Sequence, residues 1–173
     1  MTLLETPNIR QSTNYSCGPA CVTIILKYFG YKAKEKVMIK RLGADPDDGV
    51  EPEILVKYFR DRRFKIKQKY DMTIEDLEKS IDNGNPVIIA YQDWAHKPSE
   101  TNYHKSWDNG HYAVVMGYDS EKIYLSDPSS VKAKKGLKKE DFYGRWRDIG
   151  MDGKFYHRWG VSIGPRKKKV KQL

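Results

Sequence analysis

The chain reads as one α+β domain, with N-terminal helices packed on an antiparallel sheet. Three observations lead there. Its 173 residues suit a single domain of ordinary size. Apolar residues recur at helical spacing through the first third, while the later segments alternate or run apolar over strand lengths. Two such later runs, His111–Tyr118 and Lys122–Ser126, are joined by the tight polar turn Asp119-Ser120-Glu121, which predicts a hairpin.

Each element has a local reason. Residues 1–16 are extended, because Pro7 and the polar stretch Gln11–Ser16 oppose a helix. Cys17–Phe29 is apolar on most sides and predicts a buried helix. Pro19 fits its first turn, where a missing N–H costs nothing; Ser16 or Cys17 stands at the N-cap, and Gly30 stops it. Helices follow over Ala33–Leu42, ended by Gly43, and over Glu51–Arg62, with Ile54, Leu55, Tyr58 and Phe59 on one face. Between them Asp45-Pro46-Asp47-Asp48-Gly49 is a loop. The stretch Asp45–Glu53 lacks the ligand spacing of a calcium loop and reads as surface.

Phe64–Tyr70 alternates and predicts a strand; Thr73–Asp82 opens on a Thr-x-x-Asp cap and predicts a short helix. Pro86–Tyr91 is an apolar run that fits a central strand. Gln92–Asn109 is a long polar loop carrying Trp94, His96, His104 and Trp107, of a length that is more often functional than idle. Lys139–Asp148 predicts a helix or turn and Phe155–Ile163 a last strand, closed by Gly164-Pro165. The domain is therefore expected to span 1–164, and 165–173 is a basic tail expected to be disordered.

Composition narrows the function classes. Hydrophobic content is 39%, charged content 32% and mean hydropathy −0.76, as in a protein with a polar surface. No run approaches the roughly 18 apolar residues that span a bilayer. The start Met1-Thr2-Leu3-Leu4 has no basic stretch before an apolar one, so no secretory signal is expected and the cytoplasm is the expected location. Net charge is +9, and Arg166, Lys167, Lys168, Lys169 and Lys171 supply five of those charges. No nucleic-acid motif accompanies them, so no nucleic-acid partner is expected. Two cysteines four residues apart on one helix make a poor disulfide and an incomplete zinc site; free thiols and no metal or other cofactor are expected.

The chemistry concentrates in four residues. Cys17 stands where a helix N-terminus presents unpaired N–H groups and a positive partial charge, which favour a thiolate. His111 follows Gly110 at the start of a strand, and Asp127-Pro128 ends the next one. A hairpin turn near 119–120 places 111 opposite about 128 and makes imidazole and carboxylate neighbours. Gln11 offers a side-chain amide, beside the Cys17 backbone N–H, as an oxyanion donor. Nucleophile, base, orienter and oxyanion donors are the parts of a cysteine hydrolase.

The pattern Gln11-x5-Cys17-Gly18-x-Ala20-Cys21, then Gly110-His111-Tyr112-Ala113-Val114, then Asp127-Pro128, resembles the papain-like peptidase domain of bacteriocin-processing exporters, the double-glycine leader peptidases. The resemblance covers roughly residues 7–163. It implies a papain-like α+β fold, Cys17 as nucleophile, His111 as general base, Asp127 as orienting group and Gln11 as oxyanion donor. It also implies a peptide or protein substrate, cleavage after a Gly-Gly pair in a leader, and a separate exporter as partner of a free-standing domain. Departures are Ser16, where that family often has Asp, and the Trp- and His-rich 92–109 loop.

Two alternatives keep the same residues. A Cys-His-Asp set also serves an acyltransferase or deamidase, since the acceptor of the acyl group is not written in it. A leader-binding module that does not cut is the other, and the presence of Cys17 argues against it. For substrate binding, Trp94 and Trp107 are expected to line a peptide groove rather than pin the loop, with Tyr15 and Tyr112 as further candidates. Cys21 is expected as a small buried residue behind the nucleophile. His96 and His104 read as solvated, His157 as structural, and Trp146 and Trp159 as core.

Overall fold

The computed structural model describes residues 1–93, 95 and 97–167. Three helices come first: α1 (Cys17–Tyr28), α2 (Glu35–Leu42) and α3 (Pro52–Asp61). Gly18 through Leu26 of α1 are all buried, as its nearly all-round apolar sequence requires. α2 ends at Gly43, whose φ of 62° is left-handed and nearly free of cost only for glycine. α4 (Ile74–Asp82) opens on a capping box: Asp76 N–H donates to the Thr73 hydroxyl and Thr73 N–H to the Asp76 carboxylate.

A seven-stranded antiparallel sheet carries the rest. In spatial order it runs β2 (Phe64–Lys69), β9 (Gly160–Arg166), β3 (Val87–Gln92), β4 (Gly110–Tyr118), β5 (Lys122–Ser126) and β6 (Lys135–Lys138), with β1 (Thr2–Leu3) paired to β4. Every residue of β3 is buried, because both its faces are covered. Ile88 and Ala90 join Tyr112 and Val114 in a core under α1–α3. Val87, Ile89 and Tyr91 join Ala113 and Val115 in a second core under α4 and α5 (Lys139–Arg145). Each fully buried aliphatic side chain contributes roughly 1.5–3 kcal/mol to this arrangement. Trp146 and Trp159 are both core, at 1% and 0% exposure.

The expected last strand, Phe155–Ile163, is two strands. β8 (Phe155–His157) pairs with β7 (Arg147–Ile149) in a separate ribbon, and β9 returns to the main sheet. The break is Arg158, whose φ of 40° turns the chain out of one sheet and into the other. Its cost is met locally: Arg158 N–H donates to the Trp146 carbonyl and its guanidinium to the Met72 carbonyl. The expected helix over Lys139–Asp148 likewise stops at Arg145, and its end becomes β7. β9 runs through Arg166, past the boundary drawn at 164, and Lys167 N–H donates to the Arg63 carbonyl. The rest of the tail, 168–173, lies outside the described residues. Among the described residues no helix is long and apolar enough to cross a membrane.

Candidate active site

The N-terminus of α1 is left open. Ser16 is its N-cap, yet the Ser16 hydroxyl accepts from Thr13 N–H at 3.2 Å and caps no N–H of the helix. The first-turn N–H groups, and the positive end of the helix dipole, are therefore free to act on whatever occupies the space beside Cys17. Cys17 is half-buried and lines a cleft of about 270 Å³. Cys21, one turn further, is wholly buried; burial first, then the nearby Cys17 and Asp127, push its thiol well above the usual range. The two thiols of one helix thus differ in access.

β4 delivers His111 to the other wall of the cleft, at 2% exposure. Its Nε2 is 2.7 Å from Asp127 Oδ1, and Cys17 lies on the same cleft, near enough to act on the charge of the ring. The imidazole therefore sits on the carboxylate at the cleft that Cys17 lines. Burial works to lower its pKa, but the hydrogen bond to Asp127 and the nearby Cys17 and Asp127 outweigh it and hold the group up at about 10. The hairpin that makes this contact is offset from the symmetric expectation. Val114 faces Ser126 and Val115 faces Leu125, with a bulge before Gly117. Extending that pairing puts Asp127 opposite Ala113, so its carboxylate reaches His111 on the diagonal.

Asp127 is itself fully buried and crowded with donors. Oδ1 also accepts from Ser129 N–H and Ser129 Oγ, each at 2.8 Å. Oδ2 accepts from Tyr91 OH at 2.7 Å and from Lys135 Nζ at 3.2 Å. Burial opposes ionisation, yet the His111 hydrogen bond, the charges of His111 and Lys135 and the Tyr91 hydroxyl hold the carboxylate well below its usual range. Gln11 joins the same neighbourhood through its backbone, whose N–H donates to the Pro128 carbonyl at 3.0 Å. Its side-chain Nε2 donates to the Thr13 carbonyl at 2.8 Å, which engages one of its two hydrogens; Oε1 is buried with no partner among the described residues.

Tyr15 and Tyr112 both line the cleft, and Tyr112 OH is tied to the Val50 carbonyl at 2.8 Å. Trp107 does not line it. Its ring packs edge-on against Phe155 at 5.2 Å and beneath the Arg147 guanidinium at 4.9 Å, on the β7–β8 ribbon. An amphipathic ring on a loop finds an apolar partner in whichever element the loop crosses, and here that is the ribbon. Trp94 and His96 lie outside the described residues.

Four participants escaped the sequence. Tyr91 and Lys135 back the Asp127 carboxylate, and the loop 46–51, read as surface, forms a wall of the cleft. The fourth is Asp148 of β7, which enters the cleft beside His111. Gly110 makes room for it: a Cβ there would stand 2.3 Å from Asp148 Oδ1. Asp148 Oδ1 accepts from Gln92 Nε2 at 3.2 Å and from Ile149 N–H at 2.9 Å.

Comparison with known proteins gives the family and the fold. The profile of the family described as Peptidase_C39 like matches residues 3–153. An uncharacterised protein of Methanothermobacter thermautotrophicus is 26% identical over 125 residues, covering 70% of each chain. The fold resembles that of a putative C39-like peptidase from Bacillus anthracis, with TM-score 0.68, 18% identity and coverage of 96% of this chain and 98% of that one. It also resembles a double glycine motif protease from an AMS/PCAT transporter, solved in complex with the leader peptide, with TM-score 0.66, 19% identity and coverage of 95% and 94%. Both likenesses extend over the helices and the antiparallel sheet, and they fix the α+β, papain-related architecture.

Proposed function

This chain belongs to the Peptidase_C39 like family, and from that premise we propose that it cuts peptide bonds with Cys17, His111 and Asp127. Family membership supports a cysteine-peptidase hydrolase activity; the roles of the individual residues are the proposal. One observation supports it: an imidazole hydrogen-bonded to a buried carboxylate shares a cleft with the thiol at a helix N-terminus.

Cys17 sulfur attacks the scissile carbonyl carbon, and the carbonyl oxygen takes up the negative charge. The Cys17 backbone N–H and the remaining Gln11 Nε2 hydrogen stabilise that oxygen, each donor being worth about 3 kcal/mol in the transition state. The imidazolium gives its proton to the leaving amine nitrogen as the C–N bond breaks, leaving a thioester on Cys17. Water then attacks the thioester, His111 takes the water's proton, and the C–S bond breaks to release the acid. Asp127 orients the ring and stabilises its charged form throughout.

The substrate class in this reading is a peptide leader ending in Gly-Gly. The double glycine motif protease with its leader peptide supports it by fold, and a separate transporter is the corresponding partner. The test compares wild type with Cys17→Ala on peptides that contain Gly-Gly, with products identified by mass. Cleavage by wild type and none by the variant is expected. Equal turnover by both would overturn the reading, and ammonia loss or crosslinking in place of cleavage would replace it with acyl transfer or deamidation.

A further inference from the structure

Behind the proposed site, charged groups alternate in sign from the cleft to the surface. His111 meets Asp127 Oδ1, and Lys135 Nζ meets Asp127 Oδ2 at 3.2 Å, on the oxygen that His111 does not use. Lys135, from β6, also pairs with Asp93 at the end of β3 and touches Tyr91 OH at 3.2 Å. Asp93 is held in turn by Arg145 of α5 at 2.9 Å, Arg145 by Asp141 at 3.0 Å, and Asp141 by His104 of the 92–109 loop at 2.9 Å. His104 seats against α5 where Gly144 leaves space, since a Cβ there would stand 2.2 Å from its Nδ1.

We propose that Lys135 is a positioning residue for the base: it offsets part of the Asp127 charge, and Asp93 in turn regulates how much. The inference rests on the His111–Asp127 reading above. The carboxylate of Asp127 has two faces. Charge drawn toward Lys135 on Oδ2 is charge withheld from the imidazolium on Oδ1. Asp93 competes for the same ammonium, so it returns charge to Asp127. The Asp127 side chain is 0% exposed and that of Lys135 24%, so salt screens this exchange little. Among the described residues, the other titratable groups around His111 include Cys17 from α1, Tyr91 from β3 and Asp148 from β7; Asp127 also faces the Cys21 thiol of α1. None of those is a permanent cation, whereas Lys135 sets one directly on the carboxylate.

Alternation makes the prediction unusual in sign. Removing Lys135 strengthens the hold on the imidazolium, whereas removing Asp93 weakens it. The experiment follows alkylation of Cys17 by iodoacetate against pH in the full chain. Its carboxylate is drawn in by the imidazolium, so the rate falls along an alkaline limb as His111 loses its proton.

Lys135→Met is expected to move that limb to higher pH and Asp93→Asn to lower pH, each by about half a unit or more, at low salt and at about 0.5 M. Lys135→Arg keeps the charge and is expected to restore the wild-type limb. Lys134→Met, at an exposed neighbour, leaves it in place. Shifts of the same sign in Lys135→Met and Asp93→Asn, or a lowered melting temperature with an unmoved limb, would make Lys135 structural only. Where Lys135→Met does not fold, Asp93→Asn and Lys135→Arg decide the matter. A wild type with no alkaline limb would end the peptidase reading itself and this inference with it.

Discussion

Two carboxyl groups border His111, one buried and one half-buried, and they meet opposite fates. Asp127, on the β5–β6 side, accepts from His111, Ser129, Tyr91 and Lys135 and is held well below the usual carboxylate range against its own burial. Asp148, on the β7 side, accepts among the described residues from the neutral donors Ile149 N–H and Gln92 Nε2. Burial pushes it up to about 7; those two donors and the charge of His111 pull the other way, while the charge of Glu51 adds to the rise. Depth does not decide the charge of a carboxyl group here. What decides it is whether the fold hydrogen-bonds a cation to it.

Three substitutions probe that contrast. The largest effect is expected from Asp127→Asn, which removes the charge that supports the imidazolium. Turnover of a cleaved peptide should fall about 10³–10⁴-fold. The pH profile of stability should change as well. His111, raised from 6.5 to about 10, contributes stability that is fully present below about 6.5 and is lost as pH rises through about 10. Melting curves of Asp127→Asn should lack most of that alkaline decline. A loss of turnover under tenfold would show that the base does not depend on this carboxylate.

Asp148→Asn is expected to stabilise the fold. The carboxyl group is raised in the folded state, so its ionisation costs stability as pH climbs from about 4 to about 7 and above. The variant should melt higher than wild type at pH 8, by the order of a few kcal/mol, and the two should converge near pH 4. No difference at pH 8 would mean that Asp148 is solvated and ionised like a surface acid. The smallest effect on catalysis is expected from Trp107→Ala. It strips the β7–β8 ribbon of an edge-on aromatic contact worth about 1 kcal/mol, with turnover kept within about twofold. A large rise in KM would return Trp107 to the peptide groove.

The sequence displayed the reactive groups more clearly than their supports. Cys17, His111 and Asp127 stand at positions that local rules mark: a helix start before Pro19, a strand start after Gly110, and a strand end before Pro128. The hairpin turn at 119–121 was enough to bring two of them together, even with a bulge that shifts the register. Tyr91, Lys135 and Asp148 carry no such mark. Tyr91 looked like one more apolar position in a central strand, and β6 and β7 are too short to show a period. Trp107 was drawn to the groove by residue type alone, although the partner that fixes it, β8, was hidden inside what read as one long strand. That strand divides at Arg158, where a positive φ in a non-glycine residue leaves no trace in composition.

β9 is the last strand to be made, yet it lies between β2 and β3. While the protein is being synthesised, β2 has no strand to join it to β3 until residues 160–166 leave the ribosome, whereas α1 can already pack on β3 and β4. Cys17 emerges well before His111 and Asp127, which β4 and the end of β5 carry. A nascent chain that stops short of β4 thus holds the Cys17 thiol with neither group beside it.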